Sequence, residues 1–384
     1  MLRLRNSILG RLFSSSAASP ARPLHRLLSA PAPAASPGPS FVVEDYLVDT
    51  CGLTRAQALK ASTKISHIKS PSNPDAVLAF LAGLGLSSAD VAAVVARDPR
   101  FLCTDAERTL YPAVLKLNGL GLSRSEVARL VSLAPDRFRS RSIASKLHYF
   151  LPLFGSFDKF LRALKYSSNL LSSSLEEVVK PNVAVLQECG LGACDIASLC
   201  LSVRWILAPK PEHIWAMVAR AEALGVPRGS GMFRKALQAV AVLSDKKIAV
   251  KVEYLKNTLR WSDAEVGIAV SKAPMMLVRS NDAMRSKSEF LISEVGLEPA
   301  YIAHRPALLS YSLEGRIRPR YYVLKLLQEN GLVRQDRDFF NTVMVSDKVF
   351  MEKFICPHKE AAPHLAQDYA AACRGEVPTR FRST

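Results

Sequence analysis

Residues 85–102 read GLSSADVAAVVARDPRFL, and residues 121–138 read GLSRSEVARLVSLAPDRF. Both run Gly, Leu, Ser, a short apolar-periodic stretch, then Pro-x-x-(Leu/Phe). Ser87 and Ser123 stand three residues before Asp90 and Glu126. A hydroxyl three residues ahead of a side chain able to reach back is the capping-box spacing that opens a helix, with Asp90 an approximate match. The same spacing recurs at Thr54–Gln57 and Ser262–Glu265. Each preceding glycine is then the residue just past a helix end, in the left-handed conformation that a Cβ disfavours.

Outward from these stretches, the glycine recurs at Gly52, Gly85, Gly121, Gly155, Gly190, Gly225, Gly296 and Gly331. Successive intervals are 33, 36, 34, 35, 35, 71 and 35, and Arg260 occupies the middle of the double interval. The second marker recurs as Pro99-Arg-Phe-Leu102, Pro135-Asp-Arg-Phe138, Pro274-Met-Met-Leu277 and Pro306-Ala-Leu-Leu309. Ser168-Asn-Leu-Leu171 and Val203-Arg-Trp-Ile206 keep its register without the proline. A proline there stops a first helix of about ten residues. A longer second helix follows, with apolar residues stepping by three and four: Ile143, Leu147, Leu151, Phe154, and Ile248, Val252, Leu255, Leu259. That is one buried helical face. A helix pair cannot bury its face alone, so roughly eight such units over residues 41–350 imply an all-α superhelical solenoid of stacked helix pairs.

No Gly/Ser linker or charge block interrupts this span, which reads as one helical-repeat domain, residues 41–355. Beyond Pro357 the apolar period fades, and Arg374, Arg380 and Arg382 mark residues 356–384 as a basic tail. Residues 1–40 hold five arginines (Arg3, Arg5, Arg11, Arg22, Arg26), eight serines and no acid, with Leu2, Ile8, Leu9, Leu12 and Phe13 able to share one helical face. An amphipathic, Arg- and Ser-rich, acid-poor leader has the make-up of an organellar transit peptide, mitochondrial in preference to chloroplast, cleaved before about residue 42.

Net charge is +17, and the five leader arginines account for only part of it, leaving about +12. Such an excess points to a polyanionic partner or an anionic membrane surface. No apolar stretch reaches the ~20 residues of a transmembrane helix, so membrane insertion is not expected. The seven cysteines (Cys51, Cys103, Cys189, Cys194, Cys200, Cys356, Cys373) form no CxxC pair and read as reduced thiols packed as small hydrophobes.

A Leu-rich repeat near this length, with P-x-x-(L/F) after a short helix and G-(L/V)-S before the next, resembles the repeat of the mTERF (mitochondrial transcription termination factor) family. The opening FVVEDYLVDTCGLTRAQALKASTKISHIKS, from Phe41, resembles the start of its plant organellar branch. The resemblance covers nearly all of residues 41–355. It implies a half-ring of helices with a basic inner path, a mitochondrial or chloroplast address, and binding of organellar DNA or RNA. The role implied is transcription regulation or termination, or RNA splicing or maturation, beside organellar transcription, splicing or ribosomal proteins. The W-x2-L-G-x2-Y pattern of tetratricopeptide units and the T-P-L-H of ankyrin units are absent. Pentatricopeptide arrays lack the mid-unit P-x-x-(L/F).

Nothing in the sequence supports catalysis or a cofactor. There is no phosphate-cradling G-x-x-x-x-G-K-(S/T), no H-E-x-x-H, and Gly83-Leu-Gly85 ends a helix instead of opening one after a strand. Cys356, His358, His364 and Cys373 match no common zinc spacing. Trp205, Trp215 and Trp261 read as core or turn-packing residues.

The cations recur at one place in the unit. Arg137, Arg139, Arg141 and Lys146 follow one marker; Lys246 and Lys247 follow a degenerate one; Arg279, Arg285 and Lys287 follow Pro274; Arg316, Arg318 and Arg320 follow Pro306. Cations at the start of a second helix oppose its dipole, whereas a bound anion there is favoured by free N–H groups. These twelve are the expected nucleic-acid-binding residues, with Arg316, Arg318 and Arg320 expected to be exposed. Acids such as Asp105, Glu176 and Glu177 share the edge. The alternative is a protein scaffold, for example in organellar ribosome assembly, whose groove would show exposed aromatics or leucine in place of cations.

Overall fold

A computed structural model describes residues 41–376, apart from 141 and 168, together with residue 378. The expected leader, Arg141, and Arg380 and Arg382 of the expected tail lie outside the described residues. The chain divides between Val42 and Val43, and every described helix belongs to the second unit. Among the described residues no strand is present; every regular element is helical.

The repeat is built as its markers require. Six first helices are ten residues long: Ser88–Arg97, Arg124–Leu133, Phe157–Tyr166, Ala193–Ser202, Phe233–Val242 and Asp263–Lys272. All four expected capping boxes close, Ser87–Asp90 included, and each stabilises its helix start by about 1 kcal/mol. At the other end of these helices, Asp98, Ala134 and Ala273 leave the helical region at φ −134°, −142° and −145°, the restriction a following proline imposes. Ser167 and Val203 adopt the same backbone, at φ −134° and −118°, with no proline after them. The two units with degenerate markers therefore turn like the rest. The Ser167 hydroxyl donates to the Arg204 carbonyl and ties these two corners together.

All eight recurring glycines have positive φ, and Arg260 (φ 55°) takes the same left-handed conformation at the position the period assigns it. Gly190 carries a second constraint, because a Cβ there would lie 2.8 Å from the Gly229 Cα. The Gly229 N–H donates to the Cys189 carbonyl at 2.9 Å, holding the two backbones at that separation.

Three second helices are preceded by a widened turn. Wide turns at Ala106–Leu110, Leu175–Val179 and Leu313–Ile317 run directly into Tyr111–Gly119, Lys180–Glu188 and Arg318–Glu329. Pro112, Pro181 and Pro319 lie just inside those segments. A proline has no N–H for the ladder, and the preceding turn widens to bonds between residues five apart, Arg318 N–H to the Leu313 carbonyl for one. These prolines sit inside helices.

The apolar core runs through all units and closes on Val323, Leu327, Phe350, Phe354, Leu365, Tyr369 and Ala372. Helix Leu365–Cys373 thus packs into the last core segment. The stretch after Pro357, expected as a tail, has this helix because Leu365, Tyr369 and Ala372 share one face, a period too short to stand out in sequence. Cys51, Cys189 and Cys200 are buried as expected of small hydrophobes, but Cys103, Cys194 and Cys356 are exposed. Of the tryptophans, Trp261 is buried with its indole N–H on the Pro299 carbonyl, whereas Trp205 and Trp215 are exposed. No single described helix is long and apolar enough to cross a membrane.

Candidate nucleic-acid interface

Several of the expected cations turn out to join one unit to the next. Lys146 donates to the carbonyls of Leu171 (2.6 Å) and Ser173 (2.9 Å), and Lys287 to Leu309 (2.8 Å); Lys251, outside the expected set, donates to Arg279 (2.7 Å) in the same way. Arg320 donates to the carbonyls of Val343 (2.7 Å) and Val345 (2.6 Å) and to the Asp347 carboxylate. Arg316 reaches the same two carbonyls and lies over the Tyr311 ring. Asn73 and Asn182 fill this role without charge, on Leu102 and Pro209. Each donor sits on a second helix and each acceptor lies at the corner of the following unit, where carbonyls have no helical partner. Burial pushes the Lys146, Lys251 and Lys287 ammonium groups below the usual lysine range, with Arg137 and Arg279 adding to the effect at Lys146 and Lys287.

This geometry corrects the expectation about helix dipoles. All twelve cations were read against the N-terminus of their own helix, but the heads of Lys146, Lys287, Arg316 and Arg320 cross to carbonyls at the corner of the next unit, where positive charge is favoured. It also corrects the expected exposure: Arg320 is fully buried, Lys287 nearly so, and neither has surface to offer a phosphate. Arg318 lies over the Phe290 ring with Glu314 at 3.3 Å. Arg137 pairs with Asp136, Arg139 with Asp98 and Arg285 with Asp282. Lys246, Lys247 and Arg279 are exposed.

A different set of cations lines a groove of about 950 Å³, formed where three successive first helices present the same face. Ser88–Arg97 contributes Asp90 and Arg97; Arg124–Leu133 contributes Arg129 and Ser132; Phe157–Tyr166 contributes Asp158, Arg162, Lys165 and Tyr166. Arg97 is held on the Ser132 and Leu133 carbonyls at 2.9 and 2.6 Å, and Arg129 on Asp158 at 2.9 Å. Arg162 and Lys165 are exposed and have no side-chain partner among the described residues. An adjoining recess of about 510 Å³ adds Asp98, Asp136 and Arg137, and shares Lys165 and Tyr166. Arg204 covers one side of the half-exposed Tyr166 ring at 5.1 Å.

Sequence reading missed this face because it sought cations after the markers. The signal was present in the caps: Arg129 and Arg162 each stand six residues past the capping serine, Ser123 and Ser156. Two turns into a ten-residue helix, that position faces away from the buried side of its own unit.

The sequence model of the mTERF family matches residues 68–151 and 139–351, well over half of the chain. Among curated proteins, the chain is 22% identical over 295 residues to the Arabidopsis thaliana protein named transcription termination factor MTEF18, mitochondrial, covering 76% of this chain and 50% of that one. It is 24% identical over 264 residues to Arabidopsis thaliana transcription termination factor MTERF8, chloroplastic, covering 67% of this chain and 51% of that one. The chain spans about half the length of these relatives.

Proposed function

The chain belongs to the mTERF family, and from that membership we propose that it is an organellar nucleic-acid-binding regulator of gene expression, acting in transcription termination or in RNA maturation. One observation carries the reading to particular residues: the unpartnered Arg162 and Lys165 stand beside Arg129 and Arg97 on a face repeated by three successive units. A repeat that sets cations at a fixed spacing matches a polymer whose phosphates recur, and phosphate contacts supply sequence-independent affinity. Arg137 extends the same surface through the adjoining recess, its partner Asp136 exchanging for phosphate. The names of the two relatives favour an organelle, one mitochondrial and one chloroplastic. The Arg- and Ser-rich residues 1–40 direct import in this reading, and a fluorescent reporter fused behind residues 1–45 tests it; diffuse cytosolic signal refutes it.

Fluorescence anisotropy with duplex DNA and with single-stranded RNA, at several salt concentrations, tests the binding. The wild-type chain binds at least one of them with a salt-dependent affinity. Replacing Arg162 and Lys165 with Ala flattens the slope of log K against log salt by ~0.7–0.9 for each phosphate that the variant no longer neutralises. Both side chains are exposed, so helicity is unchanged. Absence of salt-dependent binding by the wild type overturns the function; an unchanged slope in the variant overturns the groove.

A further inference from the structure

We propose that the corner between helix Asp245–Leu259 and the turn at Pro274–Val278 is a docking site for an acidic amphipathic peptide segment of a partner protein, separate from the nucleic-acid groove. A recess of about 400 Å³ opens there, with Leu243 and Leu277 in its lining. Val250 is 71% exposed and Val278 37% exposed, and both line the recess. Single exposed aliphatics are ordinary on a protein surface, but two that converge on one cavity with two leucines form a continuous apolar lining.

The polar part of that lining has one sign. Lys246, Lys247 and Arg279 are exposed around it, and among the described residues no carboxylate lines it. The nearest acids along the chain are already engaged, Asp245 by Arg220 at 2.6 Å and Asp282 by Arg285. Lys251 points its ammonium into the Arg279 carbonyl and the Asn281 side chain, so it adds charge without reaching out. The complement is an aliphatic side chain that fills the recess with carboxylates on either side, the pattern of an acidic amphipathic helix.

Lys246, Lys247 and Arg279 were expected from sequence to hold phosphates, and the exposed valines argue against that assignment. A sugar–phosphate backbone laid over Val250 and Val278 would meet the cations but leave the recess unfilled. A membrane surface is a poorer match too, since two valines beside a concave recess give little to insert.

Selection from a random dodecapeptide display library on the full chain, with counter-selection on the Val250→Asp, Val278→Asp variant, tests the site. Enriched peptides are expected to carry Leu, Ile or Val flanked by two or more Asp or Glu. The leading synthetic peptide should bind roughly tenfold or more weakly to Val250→Asp and to Lys246→Glu, Lys247→Glu. It should bind unchanged to Arg162→Ala, Lys165→Ala. Selection on the Lys246→Glu, Lys247→Glu chain should turn the preference toward basic peptides, which a merely unfolded variant would not produce. Three outcomes overturn the proposal: no enrichment over the counter-selecting variant, enriched peptides without acids, or Val250→Asp abolishing binding of oligonucleotide or phosphatidylglycerol vesicles instead. Because the nucleic-acid groove has its own salt-slope test, failure of one leaves the other standing.

Discussion

Replacing Arg320 with Ala should destabilise the C-terminal units by roughly 3–5 kcal/mol, the loss of at least two buried hydrogen bonds from a charged donor. The guanidinium is fully buried and donates to the Val343 and Val345 carbonyls, the Asp347 carboxylate and, at 3.4 Å, the Tyr369 hydroxyl. Hydrogen bonds from a charged donor contribute about 1.5–3 kcal/mol each, and the two carbonyls are left without that donor. Asp347 adds little to the loss, because its side chain is 80% exposed and rehydrates. The Phe350 ring, 4.5 Å beneath the guanidinium, loses its cover as well. Arg320→Lys should retain much of the stability, since Lys146, Lys251 and Lys287 perform the same cross-unit bond with an ammonium. Stability in a stacked array is local, so the assay is hydrogen exchange read by mass spectrometry beside urea unfolding. Protection should fall over residues 313–373 and stay unchanged over residues 72–166. An Arg320→Ala chain within about 0.5 kcal/mol of wild type, or a uniform loss of protection, would refute the reasoning.

Gly190→Ala should cost roughly 3 kcal/mol or more, since it adds backbone overlap with Gly229 to left-handed strain, while Gly331→Ala, with open space around it, should cost only ~1–2 kcal/mol; equal losses in urea unfolding would contradict this. Arg260→Gly should stabilise by about 0.5 kcal/mol, because relief of left-handed strain exceeds the added backbone entropy, and a lowered urea midpoint would count against it. The Tyr301 phenol, pushed up to about 12 by burial and by its bond to Asp338, holds its proton more tightly folded than unfolded. Its contribution is therefore complete below about pH 10 and lost as pH rises through the folded value, so wild type should lose more stability than Tyr301→Phe between about pH 9 and 11.5. Parallel losses in denaturant midpoint would refute that assignment.

The period, the caps and the corners were legible in the sequence because each depends on one residue type with a local cause. A left-handed residue asks for glycine, a helix start for a hydroxyl, a corner for proline, and the spacing does the rest. Even Arg260 was placed correctly, since a period predicts conformation where composition does not. The widened turns ahead of some second helices carry no such mark: the turn before Pro319 reaches back to Leu313, and only the three-dimensional ladder records it. Arg316, Arg318 and Arg320 were therefore read as an exposed edge at the start of a helix. The helix had already begun at Leu313, which swings Arg320 onto the buried side. The groove on the first helices was hidden differently. Its cations are one or two residues on each of three helices more than thirty positions apart, and only stacking brings them together.

The pinned cations and the free ones also act over different distances. A lysine bonded to a backbone carbonyl keeps its full positive charge, because its partner is neutral. Lys146, Lys251, Lys287 and Arg316 therefore still contribute to the field around the chain, although their heads are committed. Arg129, Arg139 and Arg285 are the reverse: their heads lie near the surface, but a carboxylate beside each cancels most of the distant field. Fields reach about a Debye length, ~8 Å at physiological salt, and set how fast a polyanion arrives; hydrogen-bonded contact sets how long it stays. For the proposed nucleic acid, net charge thus overstates the number of contacts. The same cation that steers approach from beneath the surface holds one repeat against the next, so its first duty is to the fold. In the proposed interface, affinity then rests on the exposed cations of the groove, Arg162 and Lys165 foremost.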